Sequence, residues 1–345
     1  MVILRIIWNK IKRAIEVLLI KIIPILLAIL PKILRKALLF FAQRFREGVH
    51  RSIYYWPLLT HQRVGSTEFK LWIKGGHTGA QKIYSNLEKE KKVYEPVMIA
   101  CLNNILDFLK DPVFVDIGSF MGYYLCYVSS YLSDKYPVYA IESNPDYCQA
   151  IKRSIQENEL KKATIFDAVL SDKDEVLTVH KETVCQNGSQ GKKINSIKLD
   201  AFCQQKNIKP SILKIDVHGA EGKVISGARE ILKESVDFIL FELHPDDHLV
   251  KYSPGIDRQQ ILSVLEECGF KNYLIGGFRF KRSPERVLFN ETGKVSYIEI
   301  TPENKKSLFF DRFVDLFIFS LKNHDIDSLG CFHDWKALKE VSNAR

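Results

Sequence analysis

The regular alternation of short apolar runs with helical patterns, starting near Pro112, constrains the fold of this chain more than any other feature of its sequence. Amphipathic helical patterns follow Gly122, Pro145 and Glu221, and another covers Asp257–Cys268. The apolar runs read VFVDI, VYAIE, TIFDAVL, SILKIDV and VDFILFEL. Such runs, joined by helices, are typical of a parallel sheet that helices cover on both faces. With KVSYIEI and DRFVDLFIFS as final antiparallel strands, we predict an α/β fold built on a doubly wound, mostly parallel sheet of seven strands.

We place this predicted domain at residues 111–322. The rest of the chain divides into an N-terminal segment (1–48), a helical lead-in (49–110) and a polar tail (323–345). Within the lead-in, Phe69–Ile73 predicts a short strand and Ala80–Leu109 a helical pattern interrupted at Pro96. The seven cysteines lie far apart without a C-x-x-C pair. This spacing argues against a zinc clip or a disulfide framework and suits a reducing compartment.

The positive charge of the chain is concentrated at its N-terminal end. The formal net charge is +9, and residues 1–51 contain eleven Lys or Arg against two acids, Glu16 and Glu47. The remainder is therefore balanced. A basic field over the whole surface, as in nucleic-acid-binding proteins, is absent, so we expect no nucleic-acid partner.

The same N-terminal segment is also strongly apolar. Its longest run without a charge, Ile22–Pro31, falls short of the about 20 residues that a spanning helix needs. Polar residues recur at three-to-four spacing between Arg5 and Glu16, which is typical of a helix lying in a membrane interface. We therefore expect residues 1–48 to bind a membrane surface, with the protein peripheral or monotopic on the cytoplasmic side. A short single span and a helix that packs on a partner protein remain open.

The end of the first predicted strand contains a candidate cofactor site. The sequence VFVDIGSFMGYY places Gly118 at the strand end and Gly122 at the start of the helix, where the backbone must come close to a ligand. Dinucleotide-binding sites need a third glycine and a phosphate cradle. Here Asp116 precedes the first glycine, and its carboxylate would repel a pyrophosphate. It would attract a cofactor that carries an ammonium and a sulfonium group, such as S-adenosylmethionine.

Acids at the next strand ends complete this candidate site. Glu142 follows Gly122 by 20 residues, where a carboxylate can accept both ribose hydroxyls. Asp167 ends the third strand and could reach the adenine amino group. Strand-end acids also cap helices, so each acid alone is weak evidence. The full set of candidate cofactor-binding residues is Asp116, Gly118, Gly122, Tyr123, Glu142, Asn144, Asp167 and Ala168.

Several ordered motifs between Tyr94 and Phe319 resemble the FkbM-type methyltransferases, a family of class I S-adenosylmethionine enzymes. VDIGSFMGYY resembles the family's VDIGANxGYY, and AIESNP resembles FEPNP. KIDVHGAE, followed by Gly227-Ala228, resembles KIDVEGAE…GA, and FELH resembles a strand ending in Glu-Leu or Glu-His. The resemblance implies a Rossmann-like fold and O-methylation of sugars, polyketides or related molecules. Two positions differ from the family: Phe120 replaces an Asn, and His218 replaces a Glu.

The ends of the fourth and fifth strands supply candidate catalytic residues. Asp216, His218 and His244 should face the same crevice because the carboxyl ends of parallel strands meet at one edge. A sugar hydroxyl is a poor nucleophile until its proton has an acceptor, so Asp216 is expected to position or deprotonate it, with His218 or His244 as the base. The same side chains could also hold a divalent metal, but no local metal-binding spacing supports this, and we expect none.

Together these features predict an S-adenosylmethionine-dependent O-methyltransferase that acts on a glycan, a glycolipid precursor or a similar small molecule at a membrane surface. The alternative is a catalytically degenerate protein of the same fold that binds or assembles partners at the membrane. The departures at Phe120 and His218 motivate this alternative.

Overall fold

The computed structural model describes residues 57–180, 183–185, 192–275, 289, 292–305 and 315–334. The described chain divides between two compact units, one within residues 1–60 and 72–90 and the other within 61–71 and 91–345. Its helices are α1 (Thr78–Glu90), α2 (Pro96–Phe108), α3 (Tyr123–Tyr131), α4 (Pro145–Glu157), α5 (Leu199–Lys206), α6 (Glu221–Ser226), α7 (Arg229–Glu234), α8 (Asp246–Tyr252), α9 (Arg258–Glu267) and a 3-10 helix at Ile326–Leu329. Its strands are β1 (Leu58–Val64), β2 (Thr67–Ile73), β3 (Phe114–Ile117), β4 (Val138–Glu142), β5 (Ala163–Asp167), β6 (Val169–Leu170), β7 (Val176–His180), β8 (Thr183–Cys185), β9 (Lys192–Ile197), β10 (Ile212–Ile215), β11 (Phe238–Leu243), β12 (Lys271–Ile275), β13 (Val295–Glu299), β14 (Leu316–Leu321) and β15 (Phe332–Asp334).

The main sheet has the order β15-β13-β12-β14-β11-β10-β3-β4-β5. Strands β5, β4, β3, β10 and β11 are mutually parallel, and β14 runs antiparallel between β11 and β12. The chain builds β3, β4 and β5 outward on one side and then returns to place β10 and β11 on the other. Strand order therefore reverses between β3 and β10, which is where open α/β sheets bind ligands. The predicted doubly wound, mostly parallel α/β fold is confirmed.

Burial on both faces explains why the central strands are so apolar. Every residue of β3, β10 and β11 is buried. The polar exceptions within these strands are Asp116, Lys214 and Glu242, all 5% exposed or less. Burying charges is expensive unless they are paired, so these three side chains are the first candidates for function.

Helix termini follow recognisable local signals. Asn144 caps α4, its side-chain oxygen accepting the N–H of Asp146 at 2.9 Å, and Pro145 occupies the first helical position. Asp257 and Gln260 form a reciprocal capping box at the start of α9. These caps fix the helices that follow β4 and β11, and so help to fix the ends of those strands.

The structure corrects the predicted elements in several places. The main sheet has nine strands in the described part of the chain rather than seven, because the prediction missed β12 and β15. TIFDAVL divides into β5 and β6, and β6 joins a separate four-stranded sheet of order β6-β9-β7-β8 that was not predicted. The predicted polar tail contains β15 and the buried Ile326 and Leu329. Strand β1 was also missed, while β2 confirms the predicted short strand and α1 and α2 the interrupted helical pattern.

The predicted membrane-binding segment, residues 1–48, lies outside the described residues. Among the helices that the structure does describe, none combines the length and hydropathy needed to cross a bilayer.

Candidate active site

Four adjacent strands deliver predicted site residues to one edge of the main sheet. Asp116 lies near the end of β3, Glu142 ends β4, Asp216 directly follows β10, and His244 directly follows β11. The register of β3 and β10 places Asp116 beside Lys214. The structure thus brings the predicted cofactor side and the predicted acceptor side to the point where strand order reverses.

The centre of the site is a buried lysine between two aspartates. Lys214 Nζ lies 3.7 Å from Oδ1 of Asp116 and 3.5 Å from Oδ2 of Asp216. The side chains of Asp116 and Lys214 are 1% and 6% exposed, and that of Asp216 is 19% exposed. Burial raises the pKa of Asp116, while Lys214 opposes that shift. Burial would raise the pKa of Asp216, but the combined attraction of Lys214, His218 and His244 outweighs it and holds that pKa below the usual range.

The loop after β3 is shaped by backbone contacts. Gly118 has φ +78°, and a Cβ atom there would lie 1.9 Å from the backbone oxygen of Asp216. The predicted need for glycine is therefore explained by the neighbouring strand end. Phe120, at φ +52°, donates its backbone N–H to Oε2 of Glu142 at 2.9 Å, and its ring packs edge-to-face on Tyr147 at 5.0 Å.

Glu142 is held at the end of β4 by backbone N–H groups. Besides the Phe120 contact, its Oε1 accepts the N–H of Asn144 at 2.8 Å. Burial raises the pKa of Glu142 to about 7, against the lowering effect of these N–H donors. Each carboxylate oxygen keeps a further lone pair, so both can accept a ribose hydroxyl.

The remaining predicted cofactor residues of this region are Asn144, Asp167 and Ala168. Asp167 is exposed at the end of β5, opposite Glu142 in the strand register, and Ala168 donates its N–H to the Glu142 carbonyl at 3.1 Å. The side chain of Asn144 caps α4. The cofactor role of all three stays a prediction.

Gly122 and Tyr123 take part in packing. A Cβ atom on Gly122 would meet Ile151 Cγ1 of α4 at 2.9 Å, so this glycine lets two helices approach. The predicted close approach of the Gly122 backbone to a ligand stays a prediction. Tyr123 is 2% exposed, packs on Phe69, and accepts the N–H of Tyr94 at 3.3 Å through its hydroxyl. A direct contact between this ring and a cofactor also stays a prediction.

The predicted catalytic residues form a cluster at the ends of β10 and β11. Nδ1 of His218 lies 3.7 Å from Oδ1 of Asp216, and its side chain is 73% exposed. The imidazole rings of His218 and His244 are 5.0 Å apart. Since His218 is open to solvent while Asp216 is mostly enclosed, an acceptor would meet His218 first.

His244 is bound more tightly than its neighbour. Its Nδ1 lies 2.8 Å from Oε1 of Glu221, and both side chains are buried. Burial alone would lower the pKa of His244, but the hydrogen bond and charge of Glu221 outweigh it and raise that pKa to about 9. His244 therefore holds a proton at neutral pH and cannot accept another. The backbone carbonyl of His244 is itself fixed by Nε of the buried Arg258 at 2.8 Å.

Two overlapping groups of side chains have the donor types and spacing of a metal site. One contains Asp216, His218 and His244, and the other contains Glu242, His244 and Asp315. In both groups the shared imidazole is protonated at neutral pH, and in the first the ammonium of Lys214 already neutralises Asp216. A metal ion would have to displace that proton and tolerate that ammonium. The local charges thus favour protons over a metal ion.

Sequence reasoning missed two contributors to this cluster. No site role was predicted for Lys214 or Glu95. Glu95 has φ +42°, directly precedes α2, and accepts the hydroxyl of Tyr124 at 2.6 Å. Burial raises the pKa of Glu95, with Lys214 opposing the shift. The signal available in the sequence was the buried charge within SILKIDV, which an apolar strand would not otherwise carry.

The residues present fit S-adenosylmethionine in two respects. No donor in the described part of the chain hydrogen-bonds to either carboxylate oxygen of Asp116, and the Lys214 ammonium, 3.7 Å away, is shared between Asp116 and Asp216. Glu142 presents two oxygens at the neighbouring strand end. Because the Asp116 side chain is 1% exposed, it would act on a bound cation through its field rather than by direct contact.

Comparison with known proteins finds a family model and a relative that match part of this chain. Residues 116–271 match the family model described as "Methyltransferase FkbM domain". Over 168 residues the chain is 26% identical to the hexuronic acid methyltransferase AglP of Haloferax volcanii. That alignment covers 46% of this chain and 63% of AglP, so the chain spans less than two thirds of its relative.

Solved structures with a similar chain path include methyltransferase FkbM from Methylobacillus flagellatus KT. It is 18% identical, with a TM-score of 0.37, and the match covers 61% of this chain and 43% of the FkbM chain. Another is M. jannaschii TYW2 in complex with AdoMet, with 12% identity and a TM-score of 0.33 over 76% of this chain and 84% of that one. The fold assignment itself rests on the strand order described above.

Proposed function

We propose that this chain, whose residues 116–271 match the FkbM methyltransferase model, is an S-adenosylmethionine-dependent enzyme that methylates a hydroxyl group of a glycan. The observation that carries this proposal is the placement of Asp216 and His218 beside each other, directly next to the Asp116 and Glu142 strand ends. One half of this edge suits a nucleoside with a cationic group. The other half suits a hydroxyl that must lose a proton.

The bound cofactor supplies an electrophilic methyl group, and the chain's own residues have to align and deprotonate the acceptor. In-line displacement needs the acceptor oxygen held within about 3–3.5 Å of the methyl carbon, so alignment contributes much of the rate. His218 is the imidazole that reaches solvent, and Asp216 lies 3.7 Å behind it. We assign His218 as the proton acceptor and Asp216 as the group that orients it and stabilises its charged form.

His244 takes a different role from the one expected of a base. Because it is protonated at neutral pH, it can offer positive charge to an acceptor oxygen that is losing its proton. Glu221 on α6 keeps it in that state. Of the two predicted imidazole bases, the geometry therefore favours His218.

A glycan acceptor is supported by the name of the matched relative AglP, a hexuronic acid methyltransferase. We propose a uronic acid or another sugar as the acceptor and its hydroxyl oxygen as the methylated atom.

The decisive experiment incubates the full chain with S-adenosylmethionine and a panel of free and lipid-linked sugars, with uronic acids and their neutral counterparts side by side. We expect a cofactor-dependent mass gain of one methyl group on a sugar. Asp216→Asn should lower kcat by about 100-fold or more, as removal of a group that serves the proton acceptor does. Asp174→Asn, at an exposed position, is the matched control. Cofactor binding without methyl transfer to any sugar would instead support the degenerate binding protein.

We also propose that residues 1–48 hold the enzyme at a membrane surface. Their net positive charge and apolar faces support this, since each basic residue near an anionic leaflet contributes roughly 1 kcal/mol. Sedimentation with anionic vesicles should be lost when residues 1–48 are deleted, while cofactor binding should remain. Sedimentation that survives the deletion would refute the proposal.

A further inference from the structure

We propose that Lys214 is a positioning residue for methyl transfer, which holds Asp216 ionised and oriented toward His218. This inference rests on the proposed function and adds to it a residue that the resemblance does not assign. Lys214 lies inside β10, two positions before Asp216. Its ammonium reaches both the aspartate of the cofactor side and that of the acceptor side.

The contacts of Lys214 leave little freedom for its side chain. Nζ lies 3.5 Å from Oδ2 of Asp216, 3.7 Å from Oδ1 of Asp116, and 5.0 Å from the centre of the Tyr124 ring. The side chain is 6% exposed, so water contributes little to its solvation. Burial would lower the pKa of Lys214, but the surrounding carboxylates outweigh it and raise that pKa. Lys214 is therefore a permanent cation at neutral pH.

The orientation of Asp216 follows from this contact. Lys214 binds Oδ2, while Oδ1 lies near Nδ1 of His218 at 3.7 Å. Oδ1 accepts no hydrogen bond from any described donor. One oxygen is thus anchored from inside the sheet, and the other faces the imidazole that we assign as proton acceptor. A carboxylate anchored on one side is how second-layer groups commonly orient a catalytic histidine.

The charge environment of Asp216 includes groups on several elements. Lys214, His218 and His244 lower its pKa, while burial raises it. Nearby acids oppose ionisation, and they belong to β3 (Asp116) and to the segment before α2 (Glu95). Among the groups that lower the pKa of Asp216, Lys214 has the largest effect. Without Lys214, Asp216 would be a largely enclosed acid with other acids nearby, and it would retain a proton at higher pH.

The experiment compares Lys214→Met, Lys214→Arg and the control Lys223→Met. Lys223 is also a buried lysine, on α6, and pairs with Glu175 at 3.0 Å, outside the strand ends that form the site. Losing either lysine leaves a carboxylate unpaired, so the two Met variants share a general cost in stability. Each variant is first checked for cooperative unfolding in urea, and then kcat, KM and the pH dependence of kcat are measured.

For Lys214→Met we expect the ionisation midpoint of Asp216 to rise by about one to three pH units, the usual effect of an opposite charge within a few ångströms. The acid limb of the kcat profile should then move upward, because neutral Asp216 no longer stabilises the charged form of His218. The KM for the acceptor should change little, because Lys214 does not reach solvent. Lys214→Arg should keep the acid limb near its wild-type position, since the charge is retained even where the larger guanidinium slows the reaction. Lys223→Met should leave the profile unchanged.

A second readout needs no acceptor. Carboxyl ¹³C shifts of labelled aspartate, assigned with Asp216→Asn, report the ionisation of Asp216 directly. A midpoint that rises in Lys214→Met, together with the shifted acid limb, supports the proposal. An unchanged midpoint, or a changed midpoint with an unchanged kcat profile, overturns it. If the wild-type chain methylates no sugar while the midpoint still depends on Lys214, the proposed function fails and Lys214 holds only the charge of Asp216.

Discussion

Replacing Gly118 by alanine should separate the two strand ends on which the whole site depends. Gly118 has φ +78°, and an alanine Cβ would lie 1.9 Å from the Asp216 carbonyl oxygen and 2.8 Å from its carbon. The left-handed conformation costs an alanine about 1–2 kcal/mol. Ordinary contact needs more than 1 Å of extra separation, because carbon and oxygen atoms repel strongly below about 3.2 Å.

That separation acts on a hydrogen-bonded pair of strands. The Asp216 N–H donates to the Ile117 carbonyl at 3.0 Å, and this bond closes the β3–β10 ladder at the site. Its loss adds about 1–3 kcal/mol if the groups stay buried. Gly118→Ala should therefore lower the free energy of unfolding by about 2–5 kcal/mol. It should also weaken binding of S-adenosylhomocysteine, because Asp216 and the loop to Glu142 move together.

Gly255→Ala is the matched control for backbone strain. Gly255 has φ +83°, and nothing lies within 4 Å of its missing Cβ. The free energy of unfolding of this variant should fall by only about 1–2 kcal/mol, the cost of the left-handed conformation for alanine. Its binding of S-adenosylhomocysteine should be unchanged. Urea unfolding and calorimetric titration measure both quantities. Equal losses in the two variants would show that the approach of Gly118 to Asp216 has no energetic consequence, and the reasoning would be wrong.

Two titrating groups give further predictions. The pKa of Glu142 is about 7, and its ionised form is the one that would accept ribose hydroxyls. The affinity for S-adenosylhomocysteine should therefore fall as pH decreases through 7, and Glu142→Gln should remove this dependence. A wild-type affinity that is constant from pH 6 to 8 would contradict the assignment. For His244 the folded pKa of about 9 exceeds the unfolded value of 6.5, so its stabilising contribution is complete below pH 6.5 and disappears as pH rises through 9. The difference between the two pKa values corresponds to about 3 kcal/mol of stability, most of which Glu221→Gln should lose. The measurement compares the urea unfolding midpoints of wild type and variant at pH 6 and pH 9.5. A change in midpoint between these pH values that is equal in wild type and variant would refute this.

The sequence predicts the parts of this fold that depend on continuous burial. Strands β4 and β11 are recognisable because a run such as VDFILFEL has few alternatives inside an α/β domain. Strand β12 reads KNYLI, with Lys271 exposed and Leu274 half-buried, and β15 has three residues. Neither is long or apolar enough to be distinguished from a loop. The second sheet was missed because its strands are only two to six residues long.

The candidate site was predictable only as far as the strand-end rule reaches. That rule places Asp116, Glu142 and Asp216 at one edge without further information. The pairing of Lys214 with Asp116 depends on the register between β3 and β10, which joins residues 98 positions apart. The state of His244 likewise depends on its contact with Glu221 at the start of α6. Contacts of this kind depend on tertiary packing, and no local pattern signals them.

The two departures from the family pattern lie at corresponding backbone positions. Phe120 and His218 both have φ near +52°, each two residues beyond a strand-end turn. Asn is enriched in this conformation, whereas Phe tolerates it at a cost of about 1–2 kcal/mol. Phe120 offsets part of that cost through its edge-to-face contact with Tyr147, which contributes roughly 0.5–1.5 kcal/mol. Its contribution to Glu142 is a backbone N–H that any residue can supply.

These contacts distinguish a change in what the protein recognises from a loss of its function. Phe120→Asn exchanges strain for the lost ring contact, so stability should change by less than about 1 kcal/mol and S-adenosylhomocysteine affinity by only a few-fold. His218→Glu places a second negative charge near Asp216 in place of an imidazole, so kcat should fall by about 100-fold or more while affinity for S-adenosylhomocysteine holds. If Phe120→Asn abolished ligand binding, Phe120 would have to contact the cofactor directly. If His218→Glu raised kcat, a glutamate would be the better proton acceptor. Because Phe120 holds Glu142 through its backbone, whereas His218 contributes its side chain to the acceptor edge, we expect the departures to change what the acceptor edge recognises and to leave the cofactor edge working.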